Sequence, residues 1–72
     1  MKDVTAKRLK ELRVYLGYSM RSLAAQIDIN ASSISLYEKG GRKPSVETCY
    51  KFISLAKLHG IDVDLAWLRP PK

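Results

Sequence analysis

The sequence predicts an all-α domain built from five short helices. Apolar residues recur at three- and four-residue spacing along every candidate segment. Each segment follows a residue suited to capping a helix start, and most end at glycine. The chain has 72 residues, so its core is modest, and a bundle of short helices suits that size. A hydrophobic content of 46% separates it from disordered chains.

The first helix is expected from about Thr5 to Leu16, with Asp3 or Thr5 as its N-cap. Leu9, Leu12 and Leu16 make its buried stripe, while Lys7, Arg8, Lys10, Glu11 and Arg13 lie on or beside the solvated face. Gly17 supplies the left-handed residue that stops it. The second helix begins after Ser19, a good N-cap, and runs from Met20 to Ile27 with Leu23, Ala24 and Ile27 on one face. Ala24 is small enough for a following helix to cross closely. Asp28-Ile29-Asn30 forms a tight joint in which Asp28 takes a positive φ, Ile29 plugs the gap between helices and Asn30 caps the next helix.

The third helix is expected over Ala31–Lys39. Ile34 and Tyr37 point inward, and Ala31, Ser32, Ser35, Leu36 and Lys39 face outward. Two such segments joined by a tight polar turn have the layout of a helix-turn-helix, over about residues 19–39. Gly40-Gly41 ends the helix, and Arg42-Lys43-Pro44 forms a short basic loop stiffened by proline. Ser45 caps a fourth helix from about Val46 to Leu58 or His59, with Val46, Cys49, Ile53 and Ala56 on one face and Phe52 beside it. His59, near the C-terminus of that helix, is expected to cap carbonyls. Gly60 stops the helix, and Asp62 or Asp64 caps a last one ending near Leu68. The tail, residues 69–72, cannot continue a helix and is expected to fray. No linker suggests a second domain, so residues 1–72 read as one.

The net charge of +6 and pI of about 9.7 favour a polyanionic partner, either nucleic acid or an acidic membrane surface. The hydrophobic pattern fits a closed core better than a single lipid-facing stripe. No apolar run approaches the roughly 18 residues of a membrane span, and no signal-peptide pattern is seen. The chain reads as soluble and intracellular. Its single cysteine, Cys49, allows no internal disulfide and no metal spacing, and is expected in the core. No metal or cofactor is expected. No Cys–His or Ser–His–carboxylate constellation supports an enzyme, and Asp62 and Asp64 read as helix caps.

Four stretches together resemble the Xre/Cro type of helix-turn-helix protein, which includes the lambdoid phage repressors. They are RLKELRVYLGYS, SLAAQIDINASSISLYEKG, RKPSVET and DLAWL, and the likeness covers Ala6 to Leu68. Their combined spacing is specific where any one alone is weak. The resemblance implies a five-helix, lambda-repressor-like bundle. It also implies a small transcriptional regulator that binds a palindromic operator in double-stranded DNA as a homodimer. Repressors, Cro-like proteins, restriction–modification controllers and antitoxins share this build, the last with a toxin or other protein as partner. All imply a bacterial or phage-encoded protein working in the cytoplasm on nucleoid DNA.

Residue by residue, the resemblance makes Ala31, Ser32, Ser35 and Leu36 the base-reading face. Serine can bond any base edge, and Ala31 and Leu36 can pack on thymine methyls. Ser19, Met20, Arg21, Lys39, Arg42 and Lys43 would hold phosphates, the first three through amides at a helix N-terminus. Arg13 and Glu38 match a structural ion pair. Ile61, Val63, Leu65, Trp67 and Leu68 are candidates for the dimer contact, with closure of the monomer core as the other role for Trp67. The sequence departs from the family in three places. Met20 replaces the usual glutamine at the start of the second helix and loses its hydrogen bonds. Asp28 replaces a turn glycine. Phe52–Val63 is about two residues longer than the common pattern. The apolar, small groove face and Met20 leave an alternative open: a protein-interaction module that keeps the fold without specific DNA binding.

Overall fold

The computed structural model describes residues 3–71; Met1, Lys2 and Lys72, the last residue of the predicted frayed tail, lie outside the described residues. Five helices follow one another: α1 Val4–Leu16, α2 Met20–Ile27, α3 Ala31–Lys39, α4 Val46–Leu58 and α5 Leu65–Leu68. No strand occurs among the described residues. The fold is the all-α, five-helix bundle with a helix-turn-helix that the sequence predicts.

The helix starts follow from their caps. Asp3, not Thr5, begins α1: its carboxylate accepts from the Thr5 amide at 3.0 Å and the Ala6 amide at 3.4 Å. Thr5 is instead buried within the first turn. Ser19 and Ser22 form a capping box, each hydroxyl accepting from the other's amide, at 3.0 and 2.9 Å. Ser45 accepts from the Thr48 amide at 3.1 Å, and Asp64, rather than Asp62, from the Trp67 amide at 2.8 Å.

The α2–α3 joint depends on one unusual backbone position. Asp28 has φ 57° and ψ 53°, the left-handed region that Asp tolerates better than most side chains. There the Ile29 amide reaches back to the Ala24 carbonyl at 3.1 Å, and Ile29 packs half-buried against the core. Gly40, with φ 77°, ends α3 in a Schellman turn, the Gly41 amide bonding the Leu36 carbonyl at 3.0 Å.

α1 packs on α3, α4 and α5, and α2 on α3 and α4. Leu9, Leu23, Ile34, Cys49, Phe52, Ala56 and Leu68 are sealed in the centre. Two expectations about α4 are corrected. Val46 lies exposed in the first turn and Leu55 takes the expected place in the core, because the buried face of α4 runs through Cys49, Phe52, Leu55 and Ala56. His59 does not use its ring to cap carbonyls: its Nε2 pairs with the Tyr18 hydroxyl at 2.8 Å, the rings meeting edge to face. No helix among the described residues is long and apolar enough to cross a membrane.

Candidate nucleic-acid interface

α3 buries Ile34 completely and Tyr37 nearly so, which turns the opposite side of this helix to solvent. Ser32, Leu36 and Lys39 are exposed there, and Ala31 and Ser35 are half-buried. Leu36 is 44% exposed. Ala31, Ser32 and Ser35 on this face have short side chains, which lets a groove wall approach the helix closely.

Cations border this face. Lys39 ends α3, and Arg42 and Lys43 follow in the loop, all exposed. Pro44, next in the chain, is fully buried and pins the loop against the body. Arg21 is exposed in the first turn of α2.

The start of α2 narrows the expectation for phosphate contacts. The Ser19 amide and hydroxyl both bond Ser22 Oγ, at 2.9 and 3.0 Å, and the Leu23 amide bonds the Ser19 carbonyl at 2.9 Å. Ser19 therefore shapes this helix end and its own donors are committed. The amides of Met20 and Arg21 are the ones left to an anion. The Met20 side chain packs half-buried against the core, so this residue has only its backbone to offer.

One half-buried arginine ties these pieces together. Arg13 Nε and Nη2 bond the two carboxylate oxygens of Glu38 at 2.6 and 3.0 Å, and Nη1 donates to the Tyr18 carbonyl at 3.0 Å. The side chains are 12% and 3% exposed. The hydrogen bond to Glu38 raises the Arg13 pKa above its ordinary value, outweighing its burial. A single guanidinium thus links α1, the entry to α2 and the end of α3. The tie to Tyr18 was not legible from sequence, since a carbonyl leaves no signature.

Asn30 departs from its expected role. It occupies the N-cap position of α3, with φ −74° and ψ 140°, yet its side chain makes no capping hydrogen bond. The amide that it would cap, that of Ser33, is taken by Asn30's own carbonyl at 3.1 Å.

The residues assigned to subunit contact divide. Ile61, Val63 and Trp67 line one apolar depression of 240 Å³ together with Glu11, Leu12 and Tyr15. Leu65 is half-buried beside the core. Leu68 is fully buried within its own chain and has no surface to give a partner, which corrects its place in that set. Trp67 is held from within: Arg8 donates to its carbonyl and lies over its ring, 5.1 Å from the centroid. Cys49 is sealed in the core, and its burial pushes the thiol pKa up, against a smaller opposite pull from Arg69. No group of residues suited to a metal ion occurs among the described residues.

Comparison with known proteins agrees with this geometry. A family model described as helix-turn-helix matches residues 9–68. The HTH-type transcriptional regulator ImmR of Bacillus subtilis (strain 168) is 34% identical over 58 residues, covering 81% of this chain and 43% of that protein. The chain therefore spans less than half the length of that relative. No solved structure gives a significant match. The family match takes in the two crossed helices, the turn at Asp28, the basic loop and α5, and the chain belongs to the Xre-type helix-turn-helix family.

Proposed function

We propose that this chain binds double-stranded DNA with sequence preference and acts in transcriptional regulation of the repressor kind. The observation that carries this reading is the uncovered outward face of α3, with Lys39 at its end, Arg42 and Lys43 in the loop that follows and Arg21 in the first turn of α2, all exposed. α3 enters the major groove. The Met20 and Arg21 amides and the four cations hold the flanking phosphates, while Ala31, Ser32, Ser35 and Leu36 meet base edges and thymine methyls. Residues 1–72 act as one DNA-binding domain, on DNA in the cytoplasm. The name of the ImmR relative, a transcriptional regulator, supports the same reading.

The operator is palindromic and the bound form a homodimer. The longest dimension of the molecule is 28 Å, shorter than the roughly 34 Å that separates equivalent half-sites one helical turn apart. One copy covers one half-site, and the depression at Ile61, Val63 and Trp67 supplies an apolar surface for the second copy.

Selection of bound sites from random duplexes, followed by anisotropy titrations at several salt concentrations, tests this. The expected result is a two-fold-symmetric motif. With about four phosphate contacts per subunit, the log-log salt slope is about −4 per subunit. Absence of retardation of any duplex at micromolar protein and low salt would overturn it. That outcome would favour a protein-interaction module, the reading to which the half-buried, apolar Met20 side chain lends itself.

A further inference from the structure

The chain contains two side-chain amides, Gln26 and Asn30. Gln26 lines an open groove between α2 and α4, with Tyr50 and Leu58. Asn30 stands at the head of α3, next in sequence to Ala31 and Ser32, and is exposed. Asparagine at this position ordinarily folds back onto the helix amides. Here the backbone has taken that role: the Asn30 carbonyl accepts from both the Ser33 amide at 3.1 Å and the Ile34 amide at 3.2 Å. The carboxamide makes no bond to the helix it precedes.

Resting on the proposed binding mode, we propose that Asn30 is a specificity-determining residue that reads an adenine. A helix seated by its N-terminal end in the major groove brings its N-cap residue to the base edges. A carboxamide matches adenine there with two bonds, its oxygen accepting from N6–H and its NH2 donating to N7. The remaining α3 face holds hydroxyls, which accept any base edge, and apolar groups, which favour thymine methyls. Asn30 is thus the side chain at the head of α3 able to make a bidentate pair with adenine. It adds a hydrogen-bonded position to a motif otherwise set by methyl contacts and DNA shape.

The test compares sites selected from random duplexes by the wild-type protein, Asn30→Ala and Asn30→Ser. The wild-type motif is expected to hold an adenine in each half-site whose preference falls about tenfold or more in Asn30→Ala. Affinity for random duplex and the salt slope should stay unchanged. Replacing that adenine by 7-deazaadenine, which lacks the N7 acceptor, should weaken wild-type binding and leave Asn30→Ala unaffected. Asn30→Ser keeps a side chain favoured at N-caps, so equal loss of the adenine preference in both variants separates base reading from helix capping. If the wild type and Asn30→Ala select the same motif, Asn30 is not a base reader although the DNA-binding reading stands. If the wild type selects no motif, both fall.

Discussion

Arg13 on α1 grips both carboxylate oxygens of Glu38 on α3, at 2.6 and 3.0 Å, in a nearly dry setting. The pair is fork-to-fork, the geometry in which arginine binds a carboxylate most strongly. Its place matters more than its strength. It holds the far end of α3 to α1 while the third bond of Arg13, to the Tyr18 carbonyl, fixes the segment leading into α2. The two helices that meet DNA in the proposed binding mode are therefore indexed to one side chain.

Removing one partner strands a buried charge. Glu38→Leu or Arg13→Met should each lower stability by about 3 kcal/mol, measured by urea unfolding. Combining the two should recover much of that loss, since a buried ion pair contributes little more than an apolar pair of similar volume. Recovery should stop short by about 1 kcal/mol because the Tyr18 carbonyl still loses its donor. Full recovery would show that the Tyr18 bond is unimportant. The raised Arg13 pKa places its contribution fully below the ordinary arginine range, so mild alkali should leave the pair intact.

The turn at Asp28 stores a small backbone cost, its φ of 57° being one that L residues seldom adopt. Asp28→Gly should raise stability by about 0.5 kcal/mol, the relief of strain exceeding the added chain entropy. Asp28→Val, branched at Cβ, should lower it by about 1–2 kcal/mol. Thermal unfolding of the two variants checks the order; a destabilised glycine variant would assign the Asp28 side chain a role beyond tolerating the turn.

Cys49 gives a prediction in alkali. Burial raises the thiol pKa in the folded chain, so the folded state keeps its proton where the unfolded chain, with a thiol pKa of about 8.5, gives it up. That contribution to stability is complete below the unfolded pKa and fades as pH rises through the folded one. Between pH about 8 and 10, the wild type should lose more stability than Cys49→Ala. Iodoacetamide should label the native thiol far more slowly than the unfolded one, and equal rates would contradict a sealed Cys49.

Lys43 and Leu36 separate the two kinds of DNA contact. Lys43→Ala should weaken binding to all duplexes alike and flatten the salt slope by about one unit. Leu36→Ala should relax preference at a thymine and spare binding to random DNA. Anisotropy titrations on a selected site and on random duplex distinguish them. A Lys43 effect confined to one base position, or an equal loss on both duplexes for Leu36→Ala, would reverse the assignments.

What could be read from sequence followed from periodicity and local stereochemistry. Ile34 and Tyr37 face inward because their spacing permits little else, and Asp28 takes a positive φ because the chain must reverse within three residues. The Arg13–Glu38 contact was reachable only through family resemblance, as their separation of 25 residues carries no local signal. Finer features escaped. Apolar spacing marks a helix face but not its exact rotation, so Val46 and Leu55 exchanged places on α4. Residue type marks Asn30 as an N-cap but does not show that its own carbonyl takes the Ser33 amide. Leu68 reads as surface in a terminal helix of four residues, yet contacts with α1 and α4 close over it.

The central claim is that the outer face of α3 is the surface a duplex occupies. Titrating 15N-labelled protein with a short selected duplex, and following backbone amide resonances, tests it most directly. The account predicts that the largest shifts fall on Asn30, Ser32, Ser35 and Leu36, with a second set at Met20, Arg21 and Lys43, while α5 shifts only as dimerisation requires. Saturable shifts centred on α4, with Ser32 and Leu36 unmoved, would contradict it.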